Sequence, residues 1–399
     1  MILGLILLGL FCSKDVTGQN FHQNEAFKSQ STIRNANGVA VADYDQDGDL
    51  DIFITSADEY NEGDPTTWSR LLRNDKNLGF YDVTIESNLI NDQVGARDGE
   101  MGAHMGASWG DYDNDGFPDL YLTNRGYNIL WHNDGNGQFS NVTDETNVAG
   151  CFGCYSSNAV WWDYDLDGDL DLYVSNWVGE NYFYRNDGNN QFTDISAVTG
   201  LNDRGLSFTS LPIDLNRDGR QDLYVINDNG DNNFYRNLGD DTFKEVTEEV
   251  GLTDKGDGMG LAVGDYNNDG AFDVYVTNIH FFHPNPFFIN DGTGVFTNQS
   301  VQLGIEDTGW GWGARFFDAD HDLDEDLYVV NGYNSDIAEG DRNVFFENQN
   351  GQFSDVAPSI GLNNIEYAMG LEVFDYDRDG DLDMLVANRD AFPGFYKIP

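Results

Sequence analysis

Asp163-Tyr-Asp165-Leu-Asp167-Gly168-Asp169-Leu-Asp171 is the stretch that most constrains this chain, because it recurs in phase seven times. The copies begin at Asp43, Asp111, Asp163, Asp214, Asp265, Asp318 and Asp375, spaced 68, 52, 51, 51, 53 and 57 residues apart. A period near 50 residues means one supersecondary unit per repeat, and such units bury a core only by packing on their neighbours. Within each loop, carboxylates at positions 1, 3, 5 and 9 can converge on one hard cation. Position 7 supplies a backbone carbonyl, and a glycine at position 6 permits the sharp turn. Without a cation the loop opposes itself, since two carboxylates about 4 Å apart repel by roughly 4 kcal/mol at an effective dielectric near 20. An all-oxygen donor set fits Ca²⁺, which accepts six to eight oxygens, better than Mg²⁺, which demands a stricter octahedron.

The expected ligand set follows copy by copy. Loop 1 offers Asp43, Asp45, Asp47, Asp49 and Asp51, and loop 2 offers Asp111, Asp113, Asp115 and Asp119. Loop 3 offers Asp163, Asp165, Asp167, Asp169 and Asp171, and loop 7 Asp375, Asp377, Asp379, Asp381 and Asp383. Loop 4 (Asp214, Asn216, Asp218, Asp222) and loop 5 (Asp265, Asn267, Asp269, Asp273) carry asparagine at position 3, which lowers ligand charge. Arg217 and Arg220 should weaken loop 4 further. Loop 6 offers Asp318, Asp320, Asp322, Asp324 and Asp326 but has Leu323 where the others have glycine. A left-handed leucine costs on the order of 1–2 kcal/mol, so this loop is expected to be distorted.

Between loops the repeat alternates small, apolar and aromatic residues with period two, as in Asp273-Val-Tyr-Val-Thr-Asn278 and Asn181-Tyr-Phe-Tyr-Arg-Asn186. Turns such as Asp134-Gly-Asn-Gly137 are hairpin chemistry. Each repeat therefore reads as four antiparallel strands, A to D, and seven such units around an axis make an all-β, seven-bladed β-propeller. The loops join A to B, so they lie on one rim with the C–D turns. The B–C and D–A connections lie on the opposite rim, where the irregular segments 57–67, 85–103, 279–285 and 332–342 fall. A face that varies is where function usually sits.

Strand C of the seventh repeat, near Gly394-Phe-Tyr-Lys397, has no fourth strand after it. The segment Glu25-Ala-Phe27-Lys-Ser-Gln-Ser31 resembles the D strands of other repeats, such as Phe243-Lys-Glu-Val-Thr247. It is expected to pair antiparallel to residues 394–397 and close the ring.

The formal charge of -50, from 70 acidic and 20 basic residues, excludes nucleic acid as a partner, and seven Ca²⁺ would offset only about 14 of those charges. Residues 2–11 form an apolar run too short to span a bilayer and suited to a secretory signal. Cleavage after Gly18 leaves a domain at 19–399, with lipid anchoring through Cys12 as the alternative. Cys151 and Cys154, in Cys-Phe-Gly-Cys, suit a small disulfide-closed loop in an exported protein.

The phased pattern Gly-x-Gly-x-x-x-x-Asp-Tyr-Asp-x-Asp-Gly-x-x-Asp-Leu-Tyr-Val-x-Asn resembles the FG-GAP/VCBS-type repeats. These occur in integrin α-subunit propellers and in the group formed by cartilage acidic protein and its bacterial ASPIC/UnbV relatives. The resemblance covers about residues 24–399 and implies a seven-bladed propeller with up to seven Ca²⁺ on its lower rim, usually extracellular. Members of that group often carry a C-terminal ASPIC/UnbV or EGF-like module, which this sequence does not contain. The leading expectation is a secreted, monomeric, calcium-stabilised binding or adhesion module that presents its upper rim to a protein or glycan. The alternative is a propeller enzyme of lyase or cyclase type with its site on that rim. Candidate residues there are His104, Trp177, His280, His283, Trp310, Trp312, Tyr333, Arg389 and Asp390. No Ser-His-Asp order, phosphate loop or zinc spacing can be picked out, so no catalytic residue is assigned.

Overall fold

A computed structural model describes residues 21–23, 27, 33, 35–58, 61, 64–75, 79–89, 103–279, 283–332, 341–389 and 391–397. The signal segment 1–18, Cys12, His280, Tyr333 and Asp390 lie outside the described residues.

Seven four-stranded antiparallel sheets follow one another around an axis. Blade 3 is representative, with strands at Tyr155–Trp162, Asp171–Val178, Tyr182–Asn186 and Phe192–Asp194. Strand B is buried at every position in blades 1, 2, 4, 5 and 6. That is why these segments read as near-continuous apolar runs, since a strand covered on both faces needs no polar alternation. The core is a series of clusters, each shared by two adjacent blades, such as Leu215, Tyr224 and Phe234 with Val274, Val276 and Phe288. Among the described residues no helix is long and apolar enough to cross a membrane.

Two expectations about strand limits are corrected. The Val-Thr pair assigned to the end of strand D instead leads into a single-turn helix, Thr247–Val250, and blade 3 does the same at Ser196–Thr199. Their first hydroxyls accept a strand-C backbone N–H, as when the Phe234 N–H donates to Thr247 Oγ1 at 2.7 Å. Ring closure uses a different segment from the one expected. His22 and Gln23 pair antiparallel with Lys397 and Tyr396 as the outer strand of blade 7. Phe21 therefore holds the place given to Phe27, and residues 28–31 lie outside the described residues. Phe27 is nonetheless buried, its ring 5.2 Å from Phe395 and 5.3 Å from Phe80, where blade 7 meets blade 1.

Candidate metal centre and ligand faces

All seven loops share one hydrogen-bond skeleton. The N–H at position 6 donates to Oδ2 of the position-1 aspartate at 2.8–3.1 Å in every copy, Leu323 included. The distortion expected in loop 6 is thus absent. Leu323 takes φ 76° with its side chain exposed, so the strain sits in one residue and the loop keeps its shape.

The loops gather oxygen donors. Asp43, Asp45 and Asp51, the triplets Asp111, Asp113, Asp119 and Asp163, Asp165, Asp171, and Asp318, Asp320, Asp322 each bring one carboxylate oxygen within 4.8 Å of the others. Asp43 Oδ1, Asp273 Oδ2 and Asp377 Oδ1 are buried with no hydrogen-bond partner. An anionic, all-oxygen cluster with orphaned buried oxygens fits a hard divalent cation. In loop 4, by contrast, Asn216 Nδ2 donates to Asp222 Oδ2 at 3.1 Å, and Arg220 pairs with Asp218 at 2.9 Å.

The position-9 aspartates are buried at the foot of strand B. In blade 3, Asp171 accepts from the Tyr164 N–H at 3.2 Å and from the Asn186 N–H at 2.8 Å. Set by protein groups alone, burial pushes the carboxyls of Asp51, Asp171 and Asp326 up to about 8, and those of Asp222 and Asp273 up to about 7. Like charges add to this, from Asp45 and Asp47 at Asp51 and from Asp165 and Asp167 at Asp171.

The asparagine that ends strand C was assigned no role from sequence, yet it joins the blades. Asn74, Asn133, Asn186, Asn237, Asn290 and Asn348 each donate Nδ2–H to the position-2 carbonyl in the preceding blade's loop, at 2.7–3.2 Å. These six latches run around the ring, and Asn74 carries the one from blade 1 to Tyr376 of blade 7. At the seam between blades 7 and 6 the sequence puts Ile398 in register, which lies outside the described residues.

A second belt runs between the loops. The position-4 residues all have φ between 57° and 63°, and most of them reach toward the next loop. Asn114 bonds Asp169 Oδ1 at 2.8 Å, Asn268 bonds Asp324 Oδ1 at 2.9 Å, and His321 meets Asp381 Oδ1 at 2.6 Å. Arg378 lies 3.6 Å from Asp49. Asp49, Asp169, Asp324 and Asp381, expected among the metal ligands, therefore turn their carboxylates to a neighbouring loop. The belt lapses at loop 4, where Leu166 precedes Arg220.

The upper-rim candidates are not brought together. His104 is a correction: it is buried, with Nδ1 2.6 Å from Ser69 Oγ, inside the join of blades 1 and 2. Trp312 lines an axial channel of about 210 Å³ whose wall also includes Met105, Phe208, Met259 and the Arg315–Glu372 ion pair at 3.0 Å. Trp310 is half-buried, and Arg389 donates to Asn37 Oδ1 at 2.8 Å. His283 is exposed and sits 3.6 Å from Asp257. Trp177 also faces solvent, 36 % exposed, with Nε1 donating to Asp228 at 2.8 Å. Sequence reading passed over its surroundings. Phe152 is 55 % exposed beside the Cys151–Cys154 disulfide, with Tyr127 6.0 Å away, and Val178 is exposed next to Trp177.

The upper rim also has its own clamp. A residue at or near the end of strand B donates its N–H to a side-chain oxygen just ahead of strand C in six blades. The pairs are Asn124–Asn128, Asn176–Asn181, Asn227–Asn232, Asn278–Asn285, Asn331–Asn343 and Ser56–Ser69, at 2.7–3.0 Å.

Fold and loops together define a repeat propeller with acidic A–B turns. The FG-GAP-like repeat model matches residues 111–174, 163–225, 214–276 and 330–386, more than half of the chain, and the protein belongs to that family. It is 27 % identical to cartilage acidic protein 1 of Homo sapiens over 269 residues, which is 60 % of this chain and 39 % of that protein. The Xenopus tropicalis protein of the same name is 25 % identical over 277 residues, covering 60 % and 40 %. The chain thus spans about two fifths of the length of the curated relatives it matches. Among solved structures, an Agrocybe aegerita lectin that recognises non-reducing terminal N-acetylglucosamine superposes with TM-score 0.52 at 18 % identity, over 90 % of this chain and 87 % of the lectin. BBS1N in complex with ARL6DN gives 0.54 at 11 %, over 96 % and 97 %. At such identities the likeness is one of fold.

Proposed function

We propose that this propeller is a calcium-stabilised scaffold, exported from the cell, that binds a protein or glycan through its upper rim. The observation that carries the reading is the division of labour between the rims. The lower rim repeats one acidic loop seven times, while the upper rim varies from blade to blade and exposes Phe152, Trp177 and Val178. Calcium here is structural: it would offset the repulsion within each loop and hold the A–B turns that the asparagine latches grip. The Cys151–Cys154 bridge supports an oxidising compartment. Glycan or protein partners agree with what the similar propellers bind, a terminal N-acetylglucosamine and ARL6DN respectively.

The test is a glycan array and an extracellular-protein array probed in millimolar Ca²⁺. A ligand found there should be lost with EDTA and weakened by Trp177→Ala or Phe152→Ala, but not by Gln191→Ala on the lower rim. Binding indifferent to the upper-rim changes would send the search to another face.

A further inference from the structure

Blades 3 and 4 are joined on the lower rim by a carboxylate that behaves as a built-in ligand. The Tyr164 hydroxyl donates to Asp241, which sits in the C–D turn of blade 4, and Arg185 Nη1 lies 3.3 Å from the other carboxylate oxygen. Arg185 also bonds Asp187 through Nε at 2.8 Å. Blade 1 repeats these groups in register. Tyr44 holds the place of Tyr164, Arg73 that of Arg185, and Asp75 that of Asp187, with Arg73–Asp75 bonds of 2.9 and 3.1 Å.

The difference lies in the facing turn. Phe139 and Phe243 pair with the latch asparagines Asn133 and Asn237, so Gly137 of blade 2 occupies the position of Asp241. Where Asp241 fills its seam, the seam between blades 1 and 2 holds a cavity of about 330 Å³ lined by Tyr44, Arg73 and the turn that contains Gly137. A Cβ built on Gly137 would meet nothing within 4 Å. By sequence, a tyrosine at loop position 2 and an arginine before the latch asparagine occur together at these two seams alone. The others have Tyr112 with His132, Leu215 with Arg236, Tyr266 with Ile289, Ala319 with Glu347, and Tyr376 with Lys397.

We infer that the cavity between blades 1 and 2 binds an external carboxylate, held by Tyr44 and Arg73 as Tyr164 and Arg185 hold Asp241. The fixed partner Asp75 does not forbid this, because Arg185 keeps Asp187 and takes Asp241 as well. Asp45 lines the cavity too, as Asp165 stands beside Asp241 in the filled seam, and Glu86 and Gln138 would favour a ligand with hydrogen-bond donors next to its carboxylate. Two sources share this chemistry: a small free carboxylate, and the aspartyl or glutamyl side chain of a polypeptide. The site lies on the rim opposite the proposed partner surface and does not depend on it.

The test uses the whole chain in millimolar Ca²⁺, titrated with ¹³C-acetate and, separately, with a blocked Ala-Asp-Ala peptide, against acetamide and the Ala-Asn-Ala peptide. The wild type should bind one equivalent of carboxylate and neither amide. Preference for acetate assigns the free acid, and preference for the peptide assigns a polypeptide side chain. Gly137→Asp should supply the carboxylate internally and weaken binding roughly tenfold or more. Its backbone cost is small, since Asp241 itself sits at φ 57° beside Gly137 at 81°. Asp241→Gly should open a second site and raise the stoichiometry to two. If that variant does not fold, Arg73→Gln replaces it and should abolish binding. No carboxylate binding in the wild type, equal binding of acid and amide, or unchanged binding in Gly137→Asp would each overturn the inference.

Discussion

Replacing Asn186 by alanine tests whether the strand-C asparagines hold the ring together. Its Nδ2 donates to Tyr112 O of blade 2 at 2.7 Å and to Leu170 O at 3.2 Å, and its Oδ1 accepts the Gly188 N–H at 3.0 Å. The residue is only 2 % exposed, so truncation strands the Tyr112 carbonyl away from water and frees the half-buried Leu170 carbonyl and Gly188 N–H. A buried group left unsatisfied costs about 1–3 kcal/mol. Some relaxation or an entering water would recover part of the sum. The net expectation is a loss of about 2 kcal/mol or more, a large share of a typical 5–15 kcal/mol. Urea unfolding in saturating Ca²⁺ should show a lower midpoint at an unchanged slope. Gln191→Ala, an exposed neighbour in the same C–D turn, should stay within about 0.5 kcal/mol. A loss below about 1 kcal/mol in Asn186→Ala would refute the claim that the latches bear the inter-blade load.

Three further outcomes are expected. Calcium added to chelated protein should raise its melting temperature, since a ligand of the native state alone stabilises it, and an unmoved melting curve in EDTA would count against structural calcium. In chelated protein, the raised carboxyls of Asp51, Asp171 and Asp326, at about 8, lie above the unfolded value near 3.9, so the folded state binds more protons between those limits. Stability should then fall as pH rises from about 4 through 8, whereas in the calcium-loaded protein, where cation displaces proton, it should fall as pH drops. Urea midpoints at pH 5 and pH 8 with and without EDTA check this, and the same slope in both would contradict it. Asp167→Ala should cost more calcium-dependent stability than Asp218→Ala, because the Asp218 carboxylate is already engaged by Arg220 at 2.9 Å; equal losses would remove the ranking.

The blade count, the strand order within a blade and the two rims were all legible, because a phased seven-fold pattern leaves one consistent architecture. What stayed hidden was local or long-range in kind. Asn186 ends a strand in a polar setting, and nothing in one sequence separates it from a solvated asparagine, since its acceptor lies 74 residues away. Closure was misplaced by six residues because Phe21 and Phe27 both precede polar residues, and both are buried. Leu323 was expected to distort its loop, but an exposed side chain at φ 76° lets the backbone absorb the penalty without moving the oxygens. His104 was taken for a surface residue because it follows an irregular segment, while its burial depends on Ser69 of another blade.

The clamp at the top of strands B and C has a consequence for how such a face can change. The bonded residues are 4, 5, 5, 7, 12 and 13 positions apart, yet each excursion leaves and re-enters the sheet through the same kind of bond. Whatever lies between is spliced onto a fixed socket, so its length and chemistry are uncoupled from the barrel of packed sheets beneath. Lengthening a loop between fixed ends costs little, about 0.6 kcal/mol per doubling. A recognition surface mounted this way can be exchanged blade by blade, by nature or by grafting, with each replacement judged on what it contacts.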